Sequence, residues 1–257
     1  ARRSARPKTS RWDARPTIGL LTYDADPNSS ALWAGAADSA RQRGANLLCL
    51  PAQPLRSPRG FEAQANVLYD LVGAENVDGL VVWGSMLALY CTAEEAAGFC
   101  ERFRPLPIVS VGRAFEGVPC VLLDNYRSMR ELGAHLVDVH GYRRIAFIRG
   151  PDANPTAEAR YRAYVDVLSE HGLPVDPDAV VPGDFTKLSG ANAIHHLLEE
   201  GKPNLEAIVA ANDVTALGAL EALQARGLQV PRDLAVVGFD DLEEVKYVTP
   251  PLTTVPV

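Results

Sequence analysis

Several patterns that mark common functional classes are missing from this sequence of 257 residues. The four cysteines (Cys49, Cys91, Cys100 and Cys120) form no CxxC pair, so the sequence predicts neither a zinc site nor a disulfide framework. Cys49 and Cys120 lie within apolar runs, where a buried reduced thiol is expected. The histidines show no metal-ligand spacing, and GxSxG, Walker and GxGxxG motifs are absent. We therefore expect no enzyme, no metal and no cofactor.

Long apolar runs are missing as well. No stretch approaches the ~20 apolar residues that a membrane-spanning helix needs. The N-terminus is charged and has no apolar segment of the kind found in signal peptides. These features predict a cytoplasmic protein without a membrane partner.

The charge balance is acidic, with a formal net charge of -7. This balance argues against non-specific nucleic-acid binding by most of the chain. Residues 1–16 are the exception, because they carry six basic residues against the single acid Asp13. This stretch is typical either of a solvated linker or tail or of an arm that contacts phosphates or a partner.

The rest of the chain alternates strand-length apolar runs with helical patterns. The runs are continuous rather than alternating, which is typical of strands buried on both faces in a parallel sheet. Repeated β-α units form two series, roughly 17–122 and 124–250. The sequence therefore predicts an α/β fold with two similar lobes.

The apolar runs and helical patterns define the individual elements that we predict. The predicted strands are 17–23, 46–51, 79–83, 107–112, 119–124, 143–150, 179–183, 207–211 and 233–239. The predicted helices are 31–44, 62–73, 92–103, 126–141, 156–172, 187–201 and 213–227.

Polar and aromatic side chains follow the predicted strands, at the ends where open α/β sheets bind ligands. The set is Asn28, Ser29, Trp83, Ser85, Thr156, Arg160, Phe185, Asn212, Asp213, Asp240 and Asp241. Amides, carboxylates and an arginine bind paired hydroxyls, and an aromatic face covers the CH surface of a sugar ring. This inventory favours a sugar or polyol ligand, with Asp240 accepting hydroxyl hydrogens and Arg160 balancing its charge.

Four of these residues also have a simpler structural interpretation. Asp213 directly precedes a predicted helix and is typical of an N-cap. Asp241 is equally consistent with a loop or interface acid, and Trp83 with a core residue. Arg160 lies on a predicted helix, where a surface ion pair is the alternative.

Four segments resemble the effector-binding part of the LacI/GalR family of bacterial transcription regulators. They are VDGLVVWG (77–84), GYRRIAFIRGP (141–151), ARYRAYVDVLSEHGLPVD (159–176) and AIVAANDVTALGALEALQARGLQVPRDLAVVGFDDLEEVKYVTPPLTTV (207–255). The resemblance covers almost the whole chain from Thr17 onward.

The resemblance implies two flavodoxin-like, doubly wound parallel-sheet lobes joined by a hinge, the periplasmic binding protein-like type I fold. The effector is then expected in the cleft between the lobes. The implied domains are a basic tail over 1–16, a first lobe over 17–122 that includes 254–257, and a second lobe over 123–253.

Family binding positions carry over to Arg160, Asn212 and Asp240, with Phe185 as the stacking aromatic. Asn28, Ser29, Ser85 and Thr156 are further implied contacts. Family members with this arginine, asparagine and aspartate typically bind sugars or related small polar molecules. One departure concerns Gly112, because the family often has an aspartate there.

The function implied by the resemblance is that of a sensing domain whose sugar-like effector alters lobe or dimer geometry and DNA binding. A homodimer is expected, and operator DNA is expected to be contacted only through a headpiece absent from this chain. The alternative is the same sensor fold as the input domain of a signalling protein with a kinase or cyclase output. A solute-binding protein and an enzyme are the less favoured classes.

Overall fold

The structure is a computed structural model that describes residues 15–23, 27–58, 60–152, 154–199 and 204–256, without the side chains of 27–31. The predicted basic tail lies, apart from Arg15 and Pro16, outside the described residues. The chain divides into two compact units, Ala1–Leu122 and Leu123–Val257.

The first unit is built on a five-stranded sheet in the order β2-β1-β3-β4-β5, and all neighbouring strands are parallel. The strands are β1 Thr17–Tyr23, β2 Asn46–Ala52, β3 Gly79–Trp83, β4 Ile108–Val111 and β5 Cys120–Val121. Residues 19–22 of β1 are all buried, as expected for a central strand covered on both faces. The predicted parallel α/β fold is confirmed for this unit.

The helices of the first unit differ from the predicted ones at residues 62–73 and at Gly84–Leu87, where no helix was predicted. The α-helices are α1 Pro27–Gln42, α2 Gly84–Leu87 and α3 Ala93–Glu101. A capping box begins α3, since Thr92 and Glu95 each accept a hydrogen bond from the other's backbone N–H. Glu62–Leu71 forms a 3₁₀ helix without a side-chain cap, whereas apolar spacing alone does not separate this form from an α-helix.

The second unit is built on a four-stranded parallel sheet in the order β7-β6-β8-β9. The strands are β6 Ile145–Ile148, β7 Val180–Val181, β8 Ala207–Ala210 and β9 Ala235–Val237. The α-helices are α4 Asn125–Asp138, α5 Pro155–Glu170, α6 Lys187–Glu199 and α7 Asp213–Ala225. Two short 3₁₀ helices are Pro177–Ala179 and Glu243–Lys246.

Each face of the second sheet has its own core. One face packs Phe147 of β6 against Met129 of α4 and Tyr164 of α5. The other packs Ile148, the next residue of β6, against Ile194 of α6 and helix α7. Burying each such side chain stabilises the fold by about 1.5–3 kcal/mol. Because successive strand residues alternate between the faces, both must be apolar, which explains the continuous apolar runs.

The expectation for the cysteines is wrong at Cys120, which is exposed, while Cys49 is half-buried. Both residues of β5 are exposed, because β5 is the last strand of its sheet among the described residues. An apolar run at a sheet edge therefore need not be buried.

The end of the described chain runs beside β9. Thr253 forms a bridge with Val237, and Pro256 forms one with Asp240. Residues 254–257 are grouped with the second unit. Their assignment to the first lobe of the intact family fold stays a prediction.

Candidate ligand-binding site

Arg160 is the centre of the candidate site in the second unit. It lies on α5 and is 4% exposed. Its Nη2 donates to Asp240 Oδ1 at 3.0 Å, its Nη1 to the Ala211 carbonyl at 2.7 Å, and its Nε to Asn125 Oδ1 at 3.0 Å. The surface ion pair considered for Arg160 is therefore wrong, because the guanidinium is buried and held on three sides.

The surroundings of Arg160 stabilise its buried positive charge. Its guanidinium carbon lies 3.7 Å from the centroid of the Phe239 ring, a cation–π contact worth up to about 2 kcal/mol where water is excluded. Burial lowers the pKa of Arg160, and the nearby charge of Asp240 opposes this effect. A guanidinium nevertheless stays protonated in proteins. The buried Arg160 therefore forms an ion pair with Asp240, whose side chain is 15% exposed.

The loop after β9 carries Asp240 in an unusual backbone conformation. Asp240 has a φ of 118° and Asp241 a φ of 53°, both in the region that favours glycine. Such residues cost about 1–3 kcal/mol each and persist only where the surroundings hold them. The Asp240 N–H donates to the Val255 carbonyl at 3.0 Å, which is one of the bonds that hold the loop.

Asn212 and Asp213 follow β8, and it is the first of them that caps the next helix. Asn212 is the N-cap of α7, because its side chain accepts a hydrogen bond from Thr215 N at 2.9 Å. The prediction that Asp213 is the cap is wrong. Asp213 is instead fully buried, and burial raises the pKa of its carboxyl, which hydrogen bonds from Thr254 and Leu242 counteract.

Phe185 follows β7 with a φ of 66° and is half-buried. Its ring packs against the core around Phe147. A Cβ at Gly150 would overlap the ring, so a glycine is needed at that position for the ring to lie there. The nitrogen Nδ2 of Asn212 is 3.5 Å from the Phe185 carbonyl.

The structure thus places all four predicted residues in one unit, Arg160 on α5 and Asp240, Asn212 and Phe185 in the segments that follow strands. Sequence reasoning missed Asn125, which binds Arg160 from the start of α4. Its signal was an amide directly after the apolar run 119–124, the same signal that marked the other positions.

Thr156 lies near the start of α5 in the second unit. Its backbone N–H donates to Asn154 Oδ1 at 3.0 Å, and Asn154 is the N-cap of that helix. Through this bond Thr156 contributes to the helix start, and a ligand contact of its side chain stays a prediction.

The remaining predicted residues belong to the first unit. Trp83 ends β3 and is half-buried, and Ser85 lies on α2 against Gly112, where a Cβ would overlap its side chain. Asn28 and Ser29 lie in the first turn of α1, and their side chains fall outside the described residues. Their role in ligand binding stays a prediction.

Arg113, which takes the position after Gly112, is 9% exposed and donates through Nη1 to the Ala88 carbonyl. This carbonyl lies directly after α2, so Arg113 braces the helix that carries Ser85.

Among the described residues, no group of three or more His, Cys, Asp and Glu side chains is placed to hold a metal ion. Across the same ranges, every helix is too short or too polar to cross a bilayer.

Comparison with known proteins connects the chain to one family. Residues 134–257 match the family described as periplasmic binding protein-like domain. The Ribose operon repressor of Escherichia coli K12 is 31% identical over 98% of this chain and 73% of its own length. The repressor CytR of the same strain is 33% identical over 75% of this chain and 54% of its own. The chain thus matches about half the length of CytR.

Solved structures agree with the sequence relatives. A complex of the transcriptional regulator CelR with cellobiose has a TM-score of 0.76 at 29% identity, over 95% of this chain and 73% of that one. A sugar-binding LacI-family regulator from Escherichia coli, complexed with phosphate, has a TM-score of 0.70 at 29% identity, over 93% of this chain and 84% of that one. These likenesses confirm the predicted fold of two parallel-sheet α/β lobes.

The named sequence relatives are transcriptional repressors, and the family is not one of enzymes. They do not favour the alternative of an input domain for a kinase or cyclase. With an identity above 30% along nearly the whole chain and most of the ribose operon repressor, the chain belongs to the LacI/GalR family of bacterial transcription regulators, in which it forms a periplasmic binding protein-like domain.

Proposed function

We propose that this chain is the effector-binding domain of a LacI-type transcription regulator and that its effector is a sugar or polyol. The observation that carries the proposal is the ion pair between the buried Arg160 and the half-buried Asp240, with Asn212 and Phe185 in nearby segments that follow strands. Loops at the carboxyl ends of parallel strands are where α/β sheets bind ligands.

The chemistry of the pair suits hydroxyl groups. A carboxylate accepts hydrogen bonds from hydroxyls, and a guanidinium donates to their oxygens in a fixed geometry. The half-buried Phe185 ring offers an apolar face for the CH side of a sugar ring. A buried polar group left without its ligand partner costs about 1–3 kcal/mol, so the site is expected to reject molecules that lack the matching hydroxyl.

The relatives support the same ligand class. One is a ribose operon repressor, and one structural neighbour is a complex with cellobiose. Pentoses and glucose-type sugars are therefore the first compounds to test. We further propose Thr156, together with Asn28, Ser29, Trp83 and Ser85 of the first unit, as additional ligand contacts.

In this proposal the domain forms a homodimer in the bacterial cytoplasm, and effector binding changes its geometry. That change alters the affinity of the whole regulator for operator DNA, which a headpiece outside the given sequence contacts. The domain alone is expected to bind DNA weakly, because its net charge of -7 disfavours contact with the phosphate backbone.

The test is titration calorimetry of the 257-residue chain against D-ribose, D-glucose, D-galactose and cellobiose. We expect one of them to bind and Asp240→Asn to weaken that binding by about 5- to 150-fold, as 1–3 kcal/mol implies. Asp241→Asn is the matched control, because Asp241 is the neighbouring acid, also in the left-handed region, and its carboxylate lies 3.7 Å from exposed Lys246. Binding by Asp240→Asn at the parent's affinity, or no binding of any of these sugars, contradicts the proposal.

A further inference from the structure

Asp213 is a fully buried carboxylate for which the proposed ligand contacts provide no role. It is the first residue of α7, next to the capping residue Asn212. Its carboxylate accepts hydrogen bonds from two other segments, the loop after β9 and the stretch at residues 253–255. A buried carboxylate is costly unless such donors satisfy it, so these bonds bind the two segments to α7.

Two consecutive amides of the loop depend on this carboxylate. The N–H of Leu242 donates to Asp213 Oδ2 at 2.9 Å. The hydroxyl of Thr254 donates to Asp213 Oδ1 at 2.6 Å and accepts the N–H of Asp241 at 3.2 Å. The N–H of Leu242 therefore donates directly to Asp213, and the N–H of Asp241 is connected to Asp213 through the Thr254 hydroxyl.

The same loop is held from its other side by the end of the described chain. Gly238 N–H donates to the Thr253 carbonyl at 2.9 Å, and Asp240 N–H donates to the Val255 carbonyl at 3.0 Å. A Cβ at Gly238 would overlap Asp213 Oδ1, so the strand end lies directly against the carboxylate. The loop is thus fixed between α7 and residues 253–255.

We propose that Asp213 is a positioning residue for the ligand site. It holds the left-handed backbone of Asp240 and Asp241 and thereby sets where the Asp240 carboxylate meets Arg160 and the ligand. Asp213 itself contacts no ligand. The part of this inference that concerns binding rests on the proposed function, whereas the part that concerns the loop does not.

The first experiment needs no ligand and measures amide hydrogen exchange in the 257-residue chain. Asp213→Asn keeps the size of the side chain but replaces one acceptor oxygen by an NH₂ group that cannot accept. We expect the amides of Asp241 and Leu242 to exchange at least about 10-fold faster, with those of β8 unchanged.

Thr254→Val is the matched variant for the loop. It removes only the bridging hydroxyl, so we expect Asp241 to exchange faster and Leu242 to remain at the parent's rate. It also serves as the second test if Asp213→Asn does not fold.

The second experiment measures coupling in ligand affinity. Asp213→Asn, Asp240→Asn and the double variant are titrated with D-ribose, or with whichever panel sugar binds the parent. If Asp213 acts through Asp240, the affinity of the double variant lies within about 2-fold of that of Asp240→Asn. If the two residues act independently, their losses of affinity multiply. A general structural role lowers the unfolding temperature but does not produce this non-additivity.

Three results overturn the inference. They are unchanged exchange at Asp241 and Leu242 in Asp213→Asn, an equal increase at β8, and multiplicative losses of affinity in the double variant. If no panel sugar binds the parent, the proposed function fails, and the exchange experiment alone decides whether Asp213 holds the loop.

Discussion

Each unit of the protein buries an arginine near the end of a strand, and the two arginines have opposite surroundings. Arg160 in the second unit, 4% exposed, meets a carboxylate, an amide, a carbonyl and an aromatic face. Arg113 in the first unit, 9% exposed, donates to the Ala88 carbonyl, and its buried Nε has no partner among the described residues. Burial of an arginine alone therefore does not identify a ligand site.

The two units also differ in the number of residues with a strained backbone. Four non-glycine residues in the described ranges have a positive φ: Arg56, Phe185, Asp240 and Asp241. Three of them lie in the strand-end loops of the second unit, close to Arg160. Strain together with a satisfied polar network is typical of a pre-formed site, whereas Arg113 acts as a packing brace for α2.

The largest expected difference is between Arg160→Met and Arg113→Met. Removing Arg160 takes one charge-assisted hydrogen bond from Asp240 and one hydrogen bond each from the Asn125 oxygen and the Ala211 carbonyl, so we expect a loss of about 3–5 kcal/mol in the free energy of unfolding. Removing Arg113 takes a hydrogen bond from one carbonyl, that of Ala88, and breaks no ion pair among the described residues. The expected loss in the free energy of unfolding is therefore at most about 1–1.5 kcal/mol. Urea unfolding measures both losses of stability, and equal losses would contradict the stated difference between Arg160 and Arg113.

The next effect concerns the position of the Phe185 ring. Gly150→Ala introduces a Cβ that overlaps the ring, so we expect a loss of about 1–3 kcal/mol from overpacking and weaker sugar binding. Gly98→Ala is the control, because Gly98 lies exposed on α3 with open space around it, and alanine there is expected to stabilise by about 0.5–1 kcal/mol. A tolerated Gly150→Ala with normal sugar binding contradicts the stated need for glycine.

A smaller difference is expected between two helix caps. Asn212→Ala removes the cap of α7 at a residue that is 6% exposed, so we expect a loss near the upper end of about 0.5–2 kcal/mol. Thr92→Ala removes the exposed cap of α3 in the first unit and is expected to cost about 0.5–1 kcal/mol. Sugar affinity distinguishes them further, since only Asn212→Ala should lower it.

The smallest effect is a pH dependence in the second unit, remote from the strand-end loops. The hydrogen bond of His171 to the Val167 carbonyl, together with its contact with Asp138 at 2.9 Å, raises the pKa of His171 above 6.5. The protonated form is favoured in the folded state, so the contribution is complete below the unfolded pKa and is lost as the pH rises through the folded pKa.

His171→Gln removes that contribution. Between about pH 6 and pH 8 we expect the parent to lose more thermal stability than the variant, with sugar affinity unchanged in both. Parallel melting curves across this pH range would mean that the two contacts do not favour protonation.

Much of the fold was predictable from local sequence because burial on both faces requires continuous apolar strands. The observed strands Thr17–Tyr23 and Gly79–Trp83 have the predicted bounds. The 3₁₀ form of Glu62–Leu71 was not predictable, because apolar spacing does not distinguish a tighter helix. The exposure of Cys120 was also missed, because the sequence does not say which strand lies at a sheet edge.

The chemical inventory of the site was likewise a property of the sequence by itself. Polar or aromatic residues just after apolar runs identified Asn212, Asp240 and Phe185, and Arg160 was found in the segment that follows the run 143–150, since strand ends of a parallel sheet share one edge. Only the tertiary structure decided what each residue does there. Arg160 finds its partners 35, 51 and 80 positions away along the chain, and Asp213 meets Thr254 across 41 positions. Local patterns carry no information on such distant pairings, which the packing of helices on the sheet creates.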